Sequence, residues 1–270
     1  MTKLDKSGIL PEDKQLAINV LNYLRSGNRV IGDPGEGLRQ TLANLEDRRN
    51  TDELGPTDWG MDDAWLEQQI NLTKAGLRGE EDLCDFLSSL IKYDDKLDGL
   101  VAFASLSYNF NDNSQSNLDY TPDTDTLLVY GNHVLIVDAK NIKTKPDQNI
   151  AIIGESLVDA DNMKEIIQVH PSTHIWQKVF DMKGIPYGSI EGYVCIVNKT
   201  QVNIIRDEYW YDCHTKPIHI CELRGLLEKW VEGKDSTLSL KMLTEIAKAQ
   251  IKKEKDISFD VDKIKRQFGI

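Results

Sequence analysis

Residues 123–141 read DTDTLLVYGNHVLIVDAKN, and this stretch decides the fold around it. It holds two short apolar runs, residues 127–130 and residues 134–137, with Gly131-Asn132 between them. Runs rich in Val, Ile and Leu that are joined by a Gly–Asn pair are typical of a β-hairpin. The stretch therefore predicts two antiparallel strands that turn at Gly131-Asn132.

Charged residues stand at the open end of this hairpin. Asp125 comes just before the first apolar run, and Asp138 and Lys140 end the second. Because strand side chains alternate between the two faces of a sheet, Asp138 and Lys140 point the same way and Ala139 points away. The antiparallel turn then brings Asp125 beside Asp138 and Lys140.

Two carboxylates at one strand end repel each other unless a cation lies between them. A hard divalent cation such as Mg²⁺ is suited to this place, since it prefers carboxylate oxygens and water as ligands. A lysine beside such a metal can orient a water molecule or offset negative charge in a transition state. The alternative is that Asp125, Asp138 and Lys140 only cap a surface hairpin.

The chain resembles the PD-(D/E)xK nuclease superfamily and, within it, the nuclease-related domain called NERD. The resemblance covers residues 74–200. It is carried, in chain order, by Gly76-Leu-Arg-Gly79-Glu80, Asp123-Thr-Asp125, Asp138-Ala-Lys140-Asn141, Pro171 and Gln177. Many sites of this type have Glu where this chain has Asp138, and the separation of Pro171 from Gln177 is wider than the family pattern.

The resemblance implies an α/β fold, a restriction-endonuclease-like mixed central sheet flanked by helices. It also implies hydrolysis of phosphodiester bonds, most readily in DNA and by an endonuclease that depends on Mg²⁺ or Mn²⁺. The implied metal ligands are Asp125, Asp138, Glu80 and the backbone carbonyl of Ala139. Lys140 would position the attacking water, and Gln177 would orient groups near the metal.

Apolar periodicity divides the chain into three parts. Residues 1–73 are predicted as a helical N-terminal module, residues 74–222 as the nuclease-like core and residues 223–270 as a helical C-terminal extension. Helices in the module are expected at residues 11–26, 38–49 and 62–72. The expected role of the module is packing, or contact with a protein partner or a second copy of the chain. Residues 32–37, GDPGEG, lack the Lys-Ser/Thr of a phosphate-binding loop and are predicted as a turn.

Further elements are expected in the core and the extension. Helices are predicted at residues 74–91, 172–183, 222–232, 238–255 and 261–268, and strands at residues 100–108, 193–197 and 202–205. Residues 149–153 and 166–169 are predicted as an inserted hairpin around an acidic loop. Lys143 and Lys145 follow the hairpin strand and could meet a phosphate.

The composition is that of a soluble globular protein, with 40% hydrophobic and 28% charged residues. The first residues contain no apolar signal segment and no run approaches membrane-spanning length, so the expected compartment is the cytoplasm. The net charge of −12 argues against a general nucleic-acid binder, which needs a basic surface. Residues 223–270 are mildly basic and could supply phosphate contacts. The acidity also favours an alternative, a catalytically silent nuclease-like module that binds or regulates within a larger assembly.

Cysteine and histidine offer weaker candidates. Cys84 and Cys195 fall on apolar faces and are expected as core thiols. A zinc site is conceivable from residues on one short segment: Cys213, His214, His219 and Cys221. His170 and His174 flank a predicted helix start and are candidate general bases, although metal-dependent nucleases of this type usually need none.

Overall fold

The computed structural model describes residues 3–50, 63–108, 123–169, 172–198, 200–205 and 215–250. Its strands are β1 (Leu4–Asp5), β2 (Val30–Ile31), β3 (Val101–Leu106), β4 (Thr124–Tyr130), β5 (His133–Lys140), β6 (Asn149–Ile153), β7 (Ser156–Asp159), β8 (Lys164–Gln168), β9 (Ser189–Ile196), β10 (Asn203–Ile204), β11 (Thr215–His219) and β12 (Leu238–Ser239). Its α-helices are α1 (Lys14–Arg25), α2 (Glu36–Asn50), α3 (Asp63–Tyr93), α4 (Thr173–Met182), α5 (Ile220–Val231) and α6 (Leu240–Lys248). Short 3-10 helices span Pro11–Asp13 and Asp95–Leu97.

Six strands form the central sheet, in the order β11-β9-β5-β4-β3-β2. The middle of the sheet, β3 to β5, is an antiparallel meander, whereas β9 and β11 run parallel to β5. The predicted hairpin is confirmed, since Tyr130 pairs with His133 across the turn. Gly131 has a φ of 61°, and a Cβ at this position would collide with the backbone oxygen of Asp235. The turn therefore requires glycine at position 131.

Helices cover both faces of this sheet, so the predicted α/β class is confirmed. On one face α3 and α5 pack against β4, β5 and β9, with Leu83 and Leu87 of α3 and Leu227 of α5 fully buried. On the other face α1, α4 and α6 form a second apolar layer, with Trp176 and Phe180 of α4 at its centre. Within the described residues, no helix combines the length and the apolar character needed to cross a membrane.

A second sheet, of order β10-β6-β7-β8, packs beside β9. Its apolar side chains meet Val194 and Ile196, which pair with Asp138 and Lys140 of β5. The prediction of an inserted hairpin is wrong in one respect: a third strand, β7, lies within the stretch that was expected to be an acidic loop. Leu157 is fully buried, and this apolar anchor outweighs the neighbouring acids.

Helix α3 is one continuous helix of 31 residues, whereas two helices were expected in its place. No Gly or Pro interrupts residues 70–75, and the apolar stripe of Leu66 and Ile70 continues into Leu83 and Leu87. The module boundary predicted at residue 73 therefore falls inside a helix. The boundary predicted at residue 222 likewise falls inside α5.

The two ends of the described chain meet. β1 pairs in parallel with β12, and Leu4 is the partner of Leu238. The apolar side chains of α6 enter the same core cluster as those of α1. Residues 223–250 thus complete the core, whereas an extension was expected. The helix predicted from residue 238 begins at Leu240, because Leu238 pairs as a strand and Ser239 caps the helix through a hydrogen bond from the Met242 N–H.

Candidate active site

The predicted residues of the hairpin meet at its open end. The ladder between β4 and β5 stops at Thr126 and Val137, and Oδ2 of Asp125 then accepts the backbone N–H of Ala139 at 2.8 Å. Nζ of Lys140 donates to Oδ1 of Asp138 at 2.6 Å. The side chains of Asp125, Asp138 and Lys140 therefore share one face at one end of the sheet, while Ala139 turns to the other face and is buried there.

Glu80 joins this group from helix α3. A Cβ added at Gly79 would lie 2.9 Å from Cβ of Asn141, so the absence of a side chain lets the helix touch the residue after β5. Nδ2 of Asn141 donates to the backbone oxygen of Ala75 at 3.0 Å and fixes this contact. The glycine segment and the Asp-x-Lys-Asn segment of the sequence thus contact each other directly.

Burial of these acids changes their proton affinity. Glu80 is only 8% exposed, and its desolvation raises its pKa from 4.5 to about 7 against the opposing attraction of Lys140. Desolvation also raises the pKa of Asp125 well above its ordinary value, and the nearby charges of Asp138 and Glu80 add to this. Three carboxylates thus influence one another and the single ammonium group of Lys140, which is paired with Asp138, and the excess negative charge favours uptake of a further cation, either a proton or a metal.

Lys140 remains a cation in this setting. Its burial alone would lower its pKa, but the neighbouring Asp138 and Asp125 carboxylates outweigh burial and raise the pKa to about 12. A partly buried ammonium with this pKa donates hydrogen bonds at neutral pH and does not take up a proton. It can therefore orient a polar molecule or offset a negative charge.

The loop between β2 and α2 also reaches the site, and the prediction for residues 1–73 misses this contact. The backbone N–H of Gly35 donates a hydrogen bond to the Glu80 carboxylate. The next residue, Glu36, donates its N–H to Oγ of Ser105, whose φ of 51° is unusual for a residue with a side chain. Arg39 pairs with Asp33 at 2.9 Å and with Glu81 of α3 at 2.7 Å. The sequence gives one hint of this role, a Gly-rich turn that opens a helix.

Gln177 is not joined to the other four residues. It lies on the exposed side of α4, and within the described chain no hydrogen bond or ion pair links it to Asp125, Asp138, Lys140 or Glu80. The α4 residue that reaches the hairpin is Trp176, whose Nε1 donates to Oγ1 of Thr124 at 3.1 Å. Pro171 and His170 lie outside the described residues, and His174 is exposed on α4.

Oxygen atoms of carboxylates suit Mg²⁺ or Mn²⁺, and Glu80, Asp125 and Asp138 supply them. In the part of the chain that the structure describes, however, no group of three or more His, Cys, Asp or Glu side chains is arranged to hold a metal ion. The carboxylate oxygens are the ligand type that Mg²⁺ or Mn²⁺ prefers, while Lys140 forms an ion pair with one of these carboxylates, Asp138.

The zinc alternative has only two described candidates, because Cys213 and His214 lie outside the described residues. His219 serves as the N-cap of α5, and its ring accepts the backbone N–H of Cys221. Glu222 completes this cap by accepting the N–H of His219. Helix capping accounts for the position of His219 without a metal.

Comparison of the chain with models of protein families, with curated proteins and with solved structures finds no match.

Proposed function

We propose that the protein is a metal-dependent nuclease that hydrolyses phosphodiester bonds, with DNA as its substrate. The observation that carries this proposal is the ion pair of Lys140 with Asp138 beside Asp125 at one end of a mixed sheet, with the buried Glu80 near enough to feel the charges of Lys140 and Asp138. These residues come from α3, β4 and β5, and they follow the chain order of the NERD pattern. A purely structural scaffold gives no reason to gather three buried or half-buried acids at this point, since their repulsion destabilises the fold.

Asp125 and Asp138 are the proposed ligands for Mg²⁺ or Mn²⁺, with Glu80 and the carbonyl of Ala139 completing the set. A bound divalent ion acidifies a coordinated water and stabilises negative charge on a scissile phosphate. The Ala139 N–H fixes Asp125 in place, and the Gly35 N–H does the same for Glu80. Lys140, held as a cation, orients the attacking water and offsets charge that develops on the phosphate.

A second candidate is a nuclease-like module that binds without cleaving. Its support is the ion pair between Lys140 and Asp138, which neutralises one proposed ligand, together with the net charge of −12. In this alternative Lys140 occupies the place of the metal as a permanent counter-ion. The two candidates differ in their response to metal and in the effect of removing Lys140.

Two substitutions test the proposal, with Mn²⁺-induced melting shifts and cleavage of DNA as the measurements. Asp138→Asn removes a charged ligand, so both the melting shift and cleavage should be lost. Lys140→Ala removes a competing cation, so Mn²⁺ should stabilise this variant at least as well as wild type, while cleavage collapses. A ligand at a hundredfold excess over its Kd stabilises the native state by about 2.7 kcal/mol, which is readily seen as a melting shift.

Asp82→Asn is the matched control, because Asp82 is an exposed acid on the same helix as Glu80. It should behave as wild type in both measurements. Wild-type protein that shows neither a melting shift nor cleavage of single- or double-stranded DNA or RNA would support the binding module instead. Wild-type cleavage by Lys140→Ala would mean that the site is wrongly assigned.

A further inference from the structure

A cavity of about 450 Å³ lies where β1 meets the C-terminal part of α1. This volume falls within the range of small-molecule sites, roughly 300–1,000 Å³. Its apolar lining is formed by three leucines, Leu4 of β1 and Leu21 and Leu24 of α1. None of the proposed active-site residues lines it. The apolar walls suit a compact hydrophobic body.

Cations complete the lining of this cavity. They are Lys6, Arg25 and Arg29, and among the described residues no acidic side chain lines the cavity. Such a grouping is notable in a chain with a net charge of −12. Nη1 of Arg29 donates a hydrogen bond to the backbone oxygen of Leu24 at 2.9 Å, whereas the side chains of Lys6 and Arg25 are exposed. The local charge is therefore opposite in sign to that of the protein as a whole.

We infer that this cavity binds a small amphipathic anion, an apolar body that carries one sulfonate, carboxylate or phosphate group. The leucines remove the apolar body from water, and the cations receive the anionic group. An apolar body without the charge gains only the first of these interactions. An inorganic anion gains only the second, which is weak at a partly exposed site and screened by salt. The cavity should therefore prefer molecules that combine an apolar body with an anionic group.

The test uses two fluorescent probes and the full chain. The first, 8-anilinonaphthalene-1-sulfonate, has an aromatic body and a sulfonate, and the second, N-phenyl-1-naphthylamine, has the same body without the charge. We expect saturable binding of the sulfonate probe with one site per chain, an increase in Tm, and at least tenfold weaker binding of the neutral probe. Affinity for the sulfonate probe should fall as the salt concentration rises.

Variants separate the charged contacts from general hydrophobic binding. The double substitution Lys6→Gln and Arg25→Gln changes exposed side chains and should weaken the sulfonate probe at least tenfold while leaving the neutral probe unchanged. The matched control is Lys92→Gln with Lys164→Gln, two exposed lysines away from the cavity, which should bind both probes as wild type does. Equal affinity for the two probes, or unchanged sulfonate binding in the Lys6 and Arg25 variant, would overturn the inference. Circular dichroism verifies that each variant is folded.

Discussion

At the scale of single residues, the buried acid Glu80 gives the site a dependence on pH that can be tested. Its carboxyl group accepts a hydrogen bond from Gly35, yet desolvation still raises its pKa to about 7. An acid of this kind binds its proton more tightly in the native state than in the unfolded state. Its ionisation therefore costs stability, and a bound cation would recover some of that cost.

The raised pKa of Glu80 predicts that, in the absence of divalent metal, the free energy of unfolding depends on pH. Between pH 4.5 and about 7 the unfolded state releases the Glu80 proton first, so the free energy of unfolding falls as the pH rises and levels off above pH 7. With about 1.4 kcal/mol for each pKa unit, the fall is on the order of 3 kcal/mol. Glu80→Gln cannot ionise, so at pH 8 it should be more stable than wild type. Urea unfolding between pH 5 and pH 8 in a chelating buffer measures the difference, and parallel profiles for the two proteins would contradict the prediction.

At the scale of elements, the approach of α3 to the end of β5 positions Glu80. A Cβ at Gly79 would meet Asn141, whereas one at Gly225 of α5 meets nothing within 4 Å. These two helical glycines offer a matched pair. Gly79→Ala should destabilise the protein by about 1–3 kcal/mol, because the helix must move away from the strand. Gly225→Ala should stabilise it by about 0.5–1 kcal/mol, because alanine favours the helix and no contact is disturbed.

The free energy of unfolding in urea decides this prediction, and changes of the same sign in both variants would count against it. The Gly79→Ala variant should also lose part of any metal-induced melting shift, since Glu80 is displaced together with the helix. Gly225→Ala should keep the whole shift.

Elements that depend on local chemistry could be predicted from the sequence, as the β4–β5 hairpin illustrates. Its turn needs only Gly131-Asn132 and two apolar runs, and its register then places Asp125 beside Asp138 without further information. The contact of Gly35 with Glu80 could not be predicted, because it joins two segments that are far apart in the chain. The exposed position of Gln177 was missed for a related reason, since the rotation of α4 is set by the burial of Trp176 and Phe180.

Strand β7 and the joining of two predicted helices into α3 were missed for a different reason. Acidic residues next to Leu157 suggested a loop, and the apolar pattern on either side of Thr73 was interpreted as two separate helices. In both places tertiary packing of a few apolar side chains outweighs local preference.

At the scale of the whole molecule, the uneven charge leads to a prediction about substrate binding. The net charge is −12, and basic residues are concentrated after residue 223. Lys252, Lys253 and Lys255 lie outside the described residues, so their contribution to substrate binding stays a prediction. Replacing all three with glutamine should weaken DNA binding and reduce the slope of log K against log salt by about 0.9 for each lysine that contacts a phosphate of a duplex. Titrations at several salt concentrations measure this slope, and an unchanged slope would locate the substrate elsewhere.

The pairing of β1 with β12 has a consequence for how the protein is made. Because Leu4 pairs with Leu238, a ribosome must synthesise nearly the whole described chain before the first strand can find its partner. The sheet is also without α5 and α6, one on each face, until residues 220–248 have emerged. Domains generally fold as units during synthesis, at about 5–20 residues per second, so the apolar surface that α5 and α6 cover stays exposed for many seconds. The pairing of β1 with β12 thus leaves apolar surface exposed to water until residues 220–248 have been synthesised.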